Sequence, residues 1–352
     1  MAEIQVPLGD RSYPVIIRHD LCGRIPEVLQ NVAPSRRYFV ISDEQVWSLY
    51  AGIFPGPGGA FETFVVPAGE NSKSVETLRS VWTFLLEHDV ERAHVVVALG
   101  GGVVGDLAGF AAATVLRGVR LVAVPTTLLA QVDASIGGKT GINHPLGKNL
   151  IGAFHQPAAV LVDPAFLRTL PESEFQSGMY EVIKYAVIAE NPLYGLLTQK
   201  GWRGDGDLTA IIEECVRCKA AVVAADEKEG SRRMILNFGH TLGHAIEAAA
   251  GFRGYTHGQA VAWGMLFATR LACTLGLCSR ETEEAIRRLI SLNGDLPPLC
   301  GSAGALLDAM RHDKKVQDGF FTFVLPRRVG EVVIRRDVAQ NLLQERLEDF
   351  LA

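Results

Sequence analysis

The sequence predicts an α/β domain with a parallel sheet, followed by a second domain made mostly of helices. Its 352 residues leave room for two domains with full cores, because 48% of them are hydrophobic. Short apolar runs alternate with helical patterns in the first half, and the pattern becomes almost wholly helical after residues 160–164. We therefore predict an α/β domain over residues 1–160 and a mainly helical domain over residues 161–352.

The first half contains the alternating strands and helices of a doubly covered parallel sheet. The predicted elements, in order, are a hairpin of residues 4–6 and 13–18, strands 38–41 and 61–66, a helix over 74–88, a strand over 95–99, a helix to 113 and a strand over 121–124. Ligands of such sheets bind at the carboxyl ends of the strands. The outline is therefore that of a nucleotide-binding domain.

A glycine-rich turn follows the strand over 95–99. Residues 100–106, Gly-Gly-Gly-Val-Val-Gly-Asp, contain the pattern Gly-x-Gly-x-x-Gly at the start of a helix, where the backbone can approach a pyrophosphate. The usual fingerprint also has an acid about 20 positions later, and none stands there. Asp43, at the end of an earlier strand, is the better candidate for a ribose hydroxyl. A Rossmann-like dinucleotide site and a plain tight turn both remain open.

Residues 125–152 are rich in glycine and otherwise mostly apolar, yet they carry polar groups. These are Thr126, Thr127, Asp133, Lys139 and Lys148. A solvated surface loop would contain more acids, so this composition favours the floor of a polar pocket.

The helix predicted over Gly178–Tyr185 carries Glu181 and Lys184 on one face of an apolar sequence. At this spacing the two side chains can form an intrahelical ion pair worth a few tenths of a kcal/mol. Alternatively, they are a carboxylate ligand and a substrate-binding ammonium. Further on, residues 321–325 and 331–335 suggest a late hairpin around Gly330.

Three of the nine histidines fall within eighteen residues, at the corner between two predicted helices. His240 and His244 lie four residues apart and project from one helix face, and His257 opens the next helix. Thr241 occupies the position of the general base in zinc proteases, so that class is not indicated. The histidines are either solvated residues and a helix cap or ligands of a divalent metal. A third ligand at His257 favours the metal.

Composition limits the partners and the compartment. A net charge of −5 without basic runs argues against nucleic acid as the main partner. Without a secretory leader or an apolar stretch of about 18 residues, we expect neither secretion nor membrane spanning. Six cysteines include Cys215-x-x-Cys218 but no second pair at zinc-ribbon spacing. We expect a cytoplasmic protein with reduced thiols.

In order and spacing, these motifs together resemble the 3-dehydroquinate synthase family over almost the whole chain. The matching runs are residues 100–106, Pro125-Thr126-Thr127, Asp133-x-Ser135-x-Gly137-Gly138-Lys139, Lys148-Asn149, Glu181-Val182-Ile183-Lys184, Asn237-x-Gly239-His240 with His244, His257-Gly258 and Asp313-Lys314-Lys315. Two departures are Gln259, where the family often has an acid, and Glu172-Ser173-Glu174 in place of a basic-acidic pair.

The resemblance implies a Rossmann-like NAD-binding domain, an all-helical C-terminal domain, an active site in the cleft between them, and a homodimer. It assigns Glu181, His240 and His257 to a zinc or cobalt ion. Positions expected around NAD are Asp43, Glu70, Lys73, Gly102, Val103, Val104, Gly105, Asp106, Thr126, Thr127, Lys139, Lys148, Phe166, Leu167, Arg168 and Thr169. Those expected around the substrate are Arg117, Asp133, Lys139, Lys148, Asn149, Lys184, Lys219, Glu229, Arg233, Asn237, His244, Lys314 and Lys315.

The implied substrate is 3-deoxy-D-arabino-heptulosonate 7-phosphate, an anion that suits a pocket rich in lysine and arginine. The implied reaction comprises oxidation by NAD, phosphate elimination, reduction, ring opening and an intramolecular aldol closure to 3-dehydroquinate. Two alternatives are another sugar phosphate cyclase, making inosose or valiolone rings, and a metal-dependent NAD alcohol dehydrogenase of the glycerol dehydrogenase type. A third, a non-catalytic NAD-binding regulator, would not retain the whole set of polar residues.

Overall fold

A computed structural model describes residues 2–55, 59–199, 207–251, 254–311, 316–317 and 320–352. The strands are β1 (Ala2–Val6), β2 (Tyr13–Ile17), β3 (Tyr38–Asp43), β4 (Phe61–Val66), β5 (Val95–Gly100), β6 (Arg120–Pro125), β7 (Lys139–His144), β8 (Gly147–Phe154), β9 (Ala159–Val162), β10 (Val316–Gln317), β11 (Phe320–Arg328) and β12 (Glu331–Ala339). The α-helices are α1 (Ile25–Val32), α2 (Glu44–Tyr50), α3 (Val75–Glu87), α4 (Gly102–Thr114), α5 (Glu172–Ile188), α6 (Leu193–Thr198), α7 (Thr209–Ala225), α8 (His240–Ala249), α9 (His257–Thr274), α10 (Arg280–Ser291), α11 (Ala303–Arg311) and α12 (Gln340–Leu351).

The chain folds into two compact units. Unit 1 comprises Met1–Leu170 and Asp207–Lys228, and unit 2 comprises Pro171–Gly206 and Glu229–Ala352. The first division therefore lies after Leu170 rather than at residue 160, because β9 completes the sheet of unit 1. Helix α7 also belongs to unit 1, where it packs against β1. Sequence periodicity identifies α7 as a helix but does not indicate which core it joins.

The central sheet of unit 1 has the strand order β1-β2-β9-β6-β5-β3-β4. All neighbouring pairs are parallel except β1 and β2, which form the predicted hairpin. Side chains alternate between two cores: Phe39 and Ile41 pack with α3 and α4, and Tyr38 and Val40 pack with α1. The α/β prediction for the first part of the chain is confirmed.

Two helices of unit 1, α2 and α3, begin at a residue whose side chain caps the helix. The Asp43 side chain accepts a hydrogen bond from the Val46 amide (2.9 Å) and thereby starts α2 at the end of β3. In the same way, Ser74 accepts from the Thr77 amide (3.2 Å) at the start of α3. These caps fix the loops at the carboxyl ends of the strands.

Strands β7 and β8 form an antiparallel pair that the sequence does not predict. The predicted pocket floor over residues 125–152 thus includes a two-stranded sheet, on which Lys139 and Asn149 are exposed. Leu150 (45%), Ile151 (37%) and Phe154 (45%) of β8 are also exposed apolar side chains. The later part of this segment, from His144 through β8, is therefore largely exposed, whereas residues 125–142 are mostly buried.

Unit 2 is mainly helical, as predicted, but it is not all-helical. Strands β11 and β12 form the late hairpin, and β10 adds a third strand beside β11. Helix α9 packs against α5, α8, α10 and β11, so it lies at the centre of the unit. Among the described helices of both units, none combines the length and apolar character that crossing a membrane requires.

Candidate metal centre and dinucleotide site

Three elements of unit 2 position the predicted metal ligands. Glu181 lies in the middle of α5, and His240 and His257 are the first residues of α8 and α9. Helix α8 can begin close to α9 because residue 239 is a glycine. Its φ is +80°, and a Cβ there would stand 2.6 Å from the Val261 carbonyl oxygen.

A capping box starts α9. The Thr256 side chain accepts from the Gln259 amide (3.3 Å), and the Gln259 side chain accepts from the Thr256 amide (2.9 Å). Glutamine therefore performs the capping role that an acid would perform at this position. The box fixes the first turn of α9 and hence the position of His257.

The side chains of Glu181, His240 and His257 converge. One ligand atom from each lies within 4.8 Å of the others. Glu181 Oε1 is 3.6 Å from His240 Nε2 and 3.6 Å from His257 Nε2. These are the three residues predicted to hold the metal, and within the described part of the chain they form the one such cluster of three.

The protonation of both histidines directs their Nε2 lone pairs inward. His240 Nδ1 is 3.1 Å from the Phe238 carbonyl oxygen, and His257 Nδ1 is 3.1 Å from Glu247 Oε2. Each Nδ1–H donates to that oxygen, which leaves Nε2 as the acceptor in the neutral ring. Two imidazole lone pairs and a carboxylate therefore face one point.

A cation fits this point. Glu181 is fully buried, and its Oε1 has no hydrogen-bond donor among the described residues. A buried carboxylate oxygen without a donor is costly, whereas a divalent cation among one oxygen and two nitrogens would satisfy all three ligands. The donor set is of the kind that zinc and similar transition metals bind.

The ion pair between Lys184 Nζ and Glu181 Oε2 is not a solvated surface pair. Both side chains are only 1% exposed. The structure thus excludes a pair worth a few tenths of a kcal/mol on an open helix face and places a buried ammonium beside the candidate metal ligand.

Glu247 is a residue of this centre that the sequence analysis did not identify as functional. It is 6% exposed on α8, and its carboxylate receives the His257 Nδ1–H described above. Burial lowers the pKa of His257. The hydrogen bond to Glu247 and the charge of that carboxylate outweigh burial and raise the pKa above its usual value. Such carboxylate–imidazole contacts orient metal ligands. An acid seven residues after the first histidine of α8 was the available signal.

The remaining predicted substrate residues of unit 2 lie in several environments. Arg233 is buried (1% exposed), Asn237 Nδ2 donates to Glu229 Oε1 (3.1 Å), and His244 is exposed. The rings of His240 and His244 are 5.4 Å apart, whereas His244 is not part of the three-ligand cluster. Lys314 and Lys315 lie outside the described residues.

The glycine turn of unit 1 has the predicted position. Strand β5 ends at Gly100, and α4 begins at Gly102. A small cleft at this point is lined by backbone and small side chains of Gly100–Gly102, Gly105, Pro125 and Ser135, among others. A Cβ on Gly101 would stand 2.9 Å from Thr127 Cγ2, so a side chain would crowd the turn. The turn offers the close backbone approach that a pyrophosphate needs.

A charged cluster in unit 1 brings together residues expected around NAD and a residue expected around the substrate. Lys73 Nζ is 2.6 Å from Asp106 Oδ2 and donates to Asn149 Oδ1, and the Lys73 side chain is 4% exposed. Burial raises the pKa of Asp106, and the charge of Lys73 opposes that shift. Glu70 belongs to the same cluster, since its Oε1 is 3.7 Å from Lys73 Nζ. The same oxygen accepts a hydrogen bond from Asn143 Nδ2 (2.7 Å).

A second ion pair of unit 1 joins two predicted substrate residues. Lys219 Nζ contacts Asp133 Oδ1 and donates to the Asp133 carbonyl oxygen (2.6 Å). This contact adds to the packing of α7 against β1 and β2 within unit 1. Arg117 is exposed at a strained turn, where Leu116 and Arg117 have φ of 50° and 64°.

Other predicted cofactor residues have structural roles. Asp43 caps α2 through one carboxylate oxygen, and Thr127 Oγ1 accepts from the Ala130 amide (3.2 Å). Phe166 is 1% exposed in the core of unit 1. Thr169 forms a hydrogen bond of 2.6 Å with the Tyr50 hydroxyl. The assignment of these residues to NAD remains a prediction.

Comparisons with known proteins address the family. The model described as 3-dehydroquinate synthase N-terminal matches residues 63–177, and the model described as 3-dehydroquinate synthase C-terminal matches residues 178–316. A protein of Desulforamulus reducens named 3-dehydroquinate synthase is 46% identical over 351 residues, which cover 97% of this chain and 98% of that protein.

Solved structures of two other cyclases are also similar. A 2-deoxy-scyllo-inosose synthase complexed with carbaglucose-6-phosphate, NAD+ and Co2+ is 26% identical, with a TM-score of 0.87 and coverage of 99% of this chain and 100% of that one. A 2-epi-5-epi-valiolone synthase from Streptomyces hygroscopicus with NAD+ and Zn2+ bound is 30% identical, with a TM-score of 0.86 and coverage of 98% of both chains. On its sequence matches and its fold, this chain belongs to the 3-dehydroquinate synthase family.

Proposed function

We propose that the protein converts 3-deoxy-D-arabino-heptulosonate 7-phosphate to 3-dehydroquinate and phosphate, with NAD and one zinc or cobalt ion as cofactors. One observation carries this choice of reaction. Identity is 46% to a 3-dehydroquinate synthase over nearly the whole of both chains, against 26% and 30% to the two cyclases that make other rings. The family assignment also disfavours the alcohol dehydrogenase alternative.

Glu181, His240 and His257 would hold the metal. Three protein ligands leave coordination positions for substrate hydroxyls, and a bound divalent metal lowers the pKa of such a hydroxyl. Glu247 would keep His257 in the tautomer whose Nε2 faces the ligand cluster. Lys184 would balance the negative charge of Glu181 and offer its ammonium to an anionic substrate.

The glycine turn at Gly100–Gly102 and the start of α4 would bind the pyrophosphate of NAD. NAD would accept a hydride and return it in each turnover, so no net redox change results. Asp43 remains the candidate for a ribose hydroxyl, and Lys73 the candidate for a charged contact to the cofactor.

Substrate charge would be met by buried cations. The heptulosonate carries a carboxylate and a phosphate, and Arg233, Lys184 and Lys219 are 1%, 1% and 6% exposed. A cation buried at this level contacts an anion with little competition from water, so each contact counts for more than on the surface. Arg233 is the proposed partner of the carboxylate, which the substrates of the other cyclases lack.

We also propose that the protein forms a homodimer in the cytoplasm. The apolar side chains exposed on β8 support association, because exposed apolar side chains that lie close together commonly mark a protein–protein contact surface. Light scattering should report twice the chain mass, and Ile151→Asp should shift the protein to the monomer. A wild-type protein that is monomeric at micromolar concentration would rule the dimer out.

The test of function is a product assay. The protein, with Zn2+ or Co2+ and substoichiometric NAD, should release one phosphate from the heptulosonate phosphate for each 3-dehydroquinate identified by NMR. NADH that accumulates in step with product would instead indicate a dehydrogenase. Catalytic efficiency on glucose 6-phosphate or sedoheptulose 7-phosphate comparable to that on the heptulosonate would indicate another cyclase.

A further inference from the structure

Two cysteines outside the proposed catalytic machinery lie in contact in unit 2. Cys273 is in the last turn of α9, and Cys278 precedes Ser279, the residue that caps α10. Their Sγ atoms are 2.7 Å apart, and both side chains are partly exposed. Because a disulfide bond is about 2.05 Å long, a small movement of the two sulfurs would bring them to bonding distance.

The backbone holds this pair in place through the end of α9. Leu277 donates its amide to the Ala272 carbonyl (2.9 Å), and Gly276 donates to the Cys273 carbonyl (3.0 Å). Together with the φ of +68° at Gly276, this is a Schellman motif, which turns the chain back over the last turn of the helix. The residue after that motif is Cys278, so the turn delivers its side chain to Cys273.

The start of α10 fixes the other side of the pair. The Ser279 side chain accepts from the Thr282 amide (3.3 Å) and caps the helix. Each thiol donates to a backbone carbonyl nearby, Cys273 to Ser279 (3.4 Å) and Cys278 to Thr269 (3.7 Å). The end of α9 and the start of α10 therefore fix the positions of both cysteines.

We propose that Cys273 and Cys278 form a site of reversible thiol oxidation that closes to an intramolecular disulfide. The oxidant is a small two-electron acceptor, such as a low-molecular-weight disulfide. The thiolate of one cysteine attacks that disulfide, forms a mixed disulfide and releases one small thiol. The second cysteine then displaces the other small thiol. The protein loses two protons and two electrons, and the oxidant becomes two thiols.

The resting state of this site is the dithiol. Burial, more than any other influence, raises the pKa of Cys273, and burial followed by the neighbouring thiol raises the pKa of Cys278 to about 12. Both sulfurs are therefore protonated near neutral pH and react slowly one at a time. Once one cysteine has formed the mixed disulfide, the second step is fast, because the other thiol is already in contact with it.

Peptide mass spectrometry tests this proposal on the native protein. Diamide, which takes up two hydrogens as it oxidises a dithiol, is added to the folded protein, and free thiols are then alkylated under denaturing conditions. Trypsin cleaves after Arg270 and Arg280, so Leu271–Arg280 carries both cysteines in one peptide. This peptide should lose two hydrogens and both alkylation sites, and dithiothreitol should restore them.

Matched variants and a second cysteine pair complete the test. Cys273→Ser and Cys278→Ser should each leave the remaining cysteine open to alkylation after the same treatment. Cys215 and Cys218 are separated by Arg217 and would appear as two linked peptides, so the two pairs are distinguishable. A wild-type Leu271–Arg280 peptide that stays fully alkylated after diamide would overturn the proposal.

Discussion

The candidate metal centre of unit 2 and the Lys73 cluster of unit 1 differ in the partners that their buried charged groups have. In unit 1 the chain supplies both signs, since Asp106 and Asn149 surround the ammonium of Lys73. In unit 2 the carboxylate of Glu181 has one lysine on Oε2, while its Oε1 faces two imidazole nitrogens and no hydrogen-bond donor among the described residues.

The difference separates two ways of completing a buried polar group. A carboxylate paired with a lysine is satisfied within the fold, so its removal should affect folding first. A carboxylate that converges with two imidazole lone pairs is satisfied only when a cation is present. The metal centre should therefore respond to added metal, and the Lys73 cluster should not.

Removal of metal has the largest expected effect. Prolonged treatment with a chelator such as dipicolinate should abolish turnover of the heptulosonate phosphate, because the substrate hydroxyls lose their Lewis acid. Added Zn2+ or Co2+ should restore it. Phosphate release measured before and after restoration gives the result. Full activity in a preparation that metal analysis shows to be metal-free would remove the metal from the mechanism.

Arg233→Ala is expected to be next in size. Loss of a buried cation that faces a carboxylate costs about 2–5 kcal/mol. The kcat/KM for the heptulosonate phosphate should fall by the factor that corresponds to this free energy. The metal should stay bound, because Arg233 is not among its proposed ligands. Arg232→Ala is the matched control, since Arg232 is the exposed neighbour. Equal kinetics of the two variants would contradict the proposed role of Arg233.

Lys73→Met tests whether the ion pair between Lys73 and Asp106 stabilises unit 1. It leaves the Asp106 carboxylate without its lysine and should lower the free energy of unfolding by about 2–3 kcal/mol. This is less than for a fully buried pair, because the Asp106 side chain is 23% exposed. Chemical denaturation measures the change, with the exposed Lys228→Met as control. If added Zn2+ restored the stability of Lys73→Met, the proposed difference between the Lys73 cluster and the metal centre would be wrong.

Glu247→Gln should have the smallest effect and sharpens the account of the metal centre. Loss of the carboxylate that orients His257 should weaken metal binding by about 10- to 100-fold without unfolding unit 2. Competition with a chromophoric chelator measures the affinity directly. Glu281→Gln, on the exposed start of α10, provides the control. An affinity equal to that of wild type would assign Glu247 a packing role only.

The family resemblance singled out Glu181, His240 and His257, whereas local patterns left solvated histidines and an ordinary ion pair open, and metal binding by these residues remains a prediction. Local patterns did predict the helices that carry them. His240 and His257 begin helices that glycine and capping residues define locally, and Glu181 lies at helical spacing within an apolar run. Glu247 was missed because its partner depends on how α8 packs against α9, which periodicity does not encode. On sequence alone it is an ordinary acid on a helix.

The charged cluster of unit 1 was less predictable for a related reason. Lys73 and Asn149 are 76 residues apart, and Asn143 of β7 joins them. Its amide donates to the Lys73 carbonyl (2.8 Å), and its side-chain oxygen accepts from the Asn149 amide (3.0 Å). The two-stranded sheet was not predicted either, because glycines interrupt its alternation of apolar and polar residues. Parallel strands β3, β5 and β6 were predictable because their buried runs are continuous.

The most direct test of the metal centre is metal content after equilibrium dialysis against Zn2+ or Co2+, compared between His257→Ala and His244→Ala. These histidines lie near each other, with ring centres 6.1 Å apart, but only His257 is in the three-ligand cluster. Wild type and His244→Ala should each retain one metal ion per chain, and His257→Ala should retain far less. Equal metal content in all three proteins, or loss of metal from His244→Ala alone, would contradict the assignment of Glu181, His240 and His257 as the metal site.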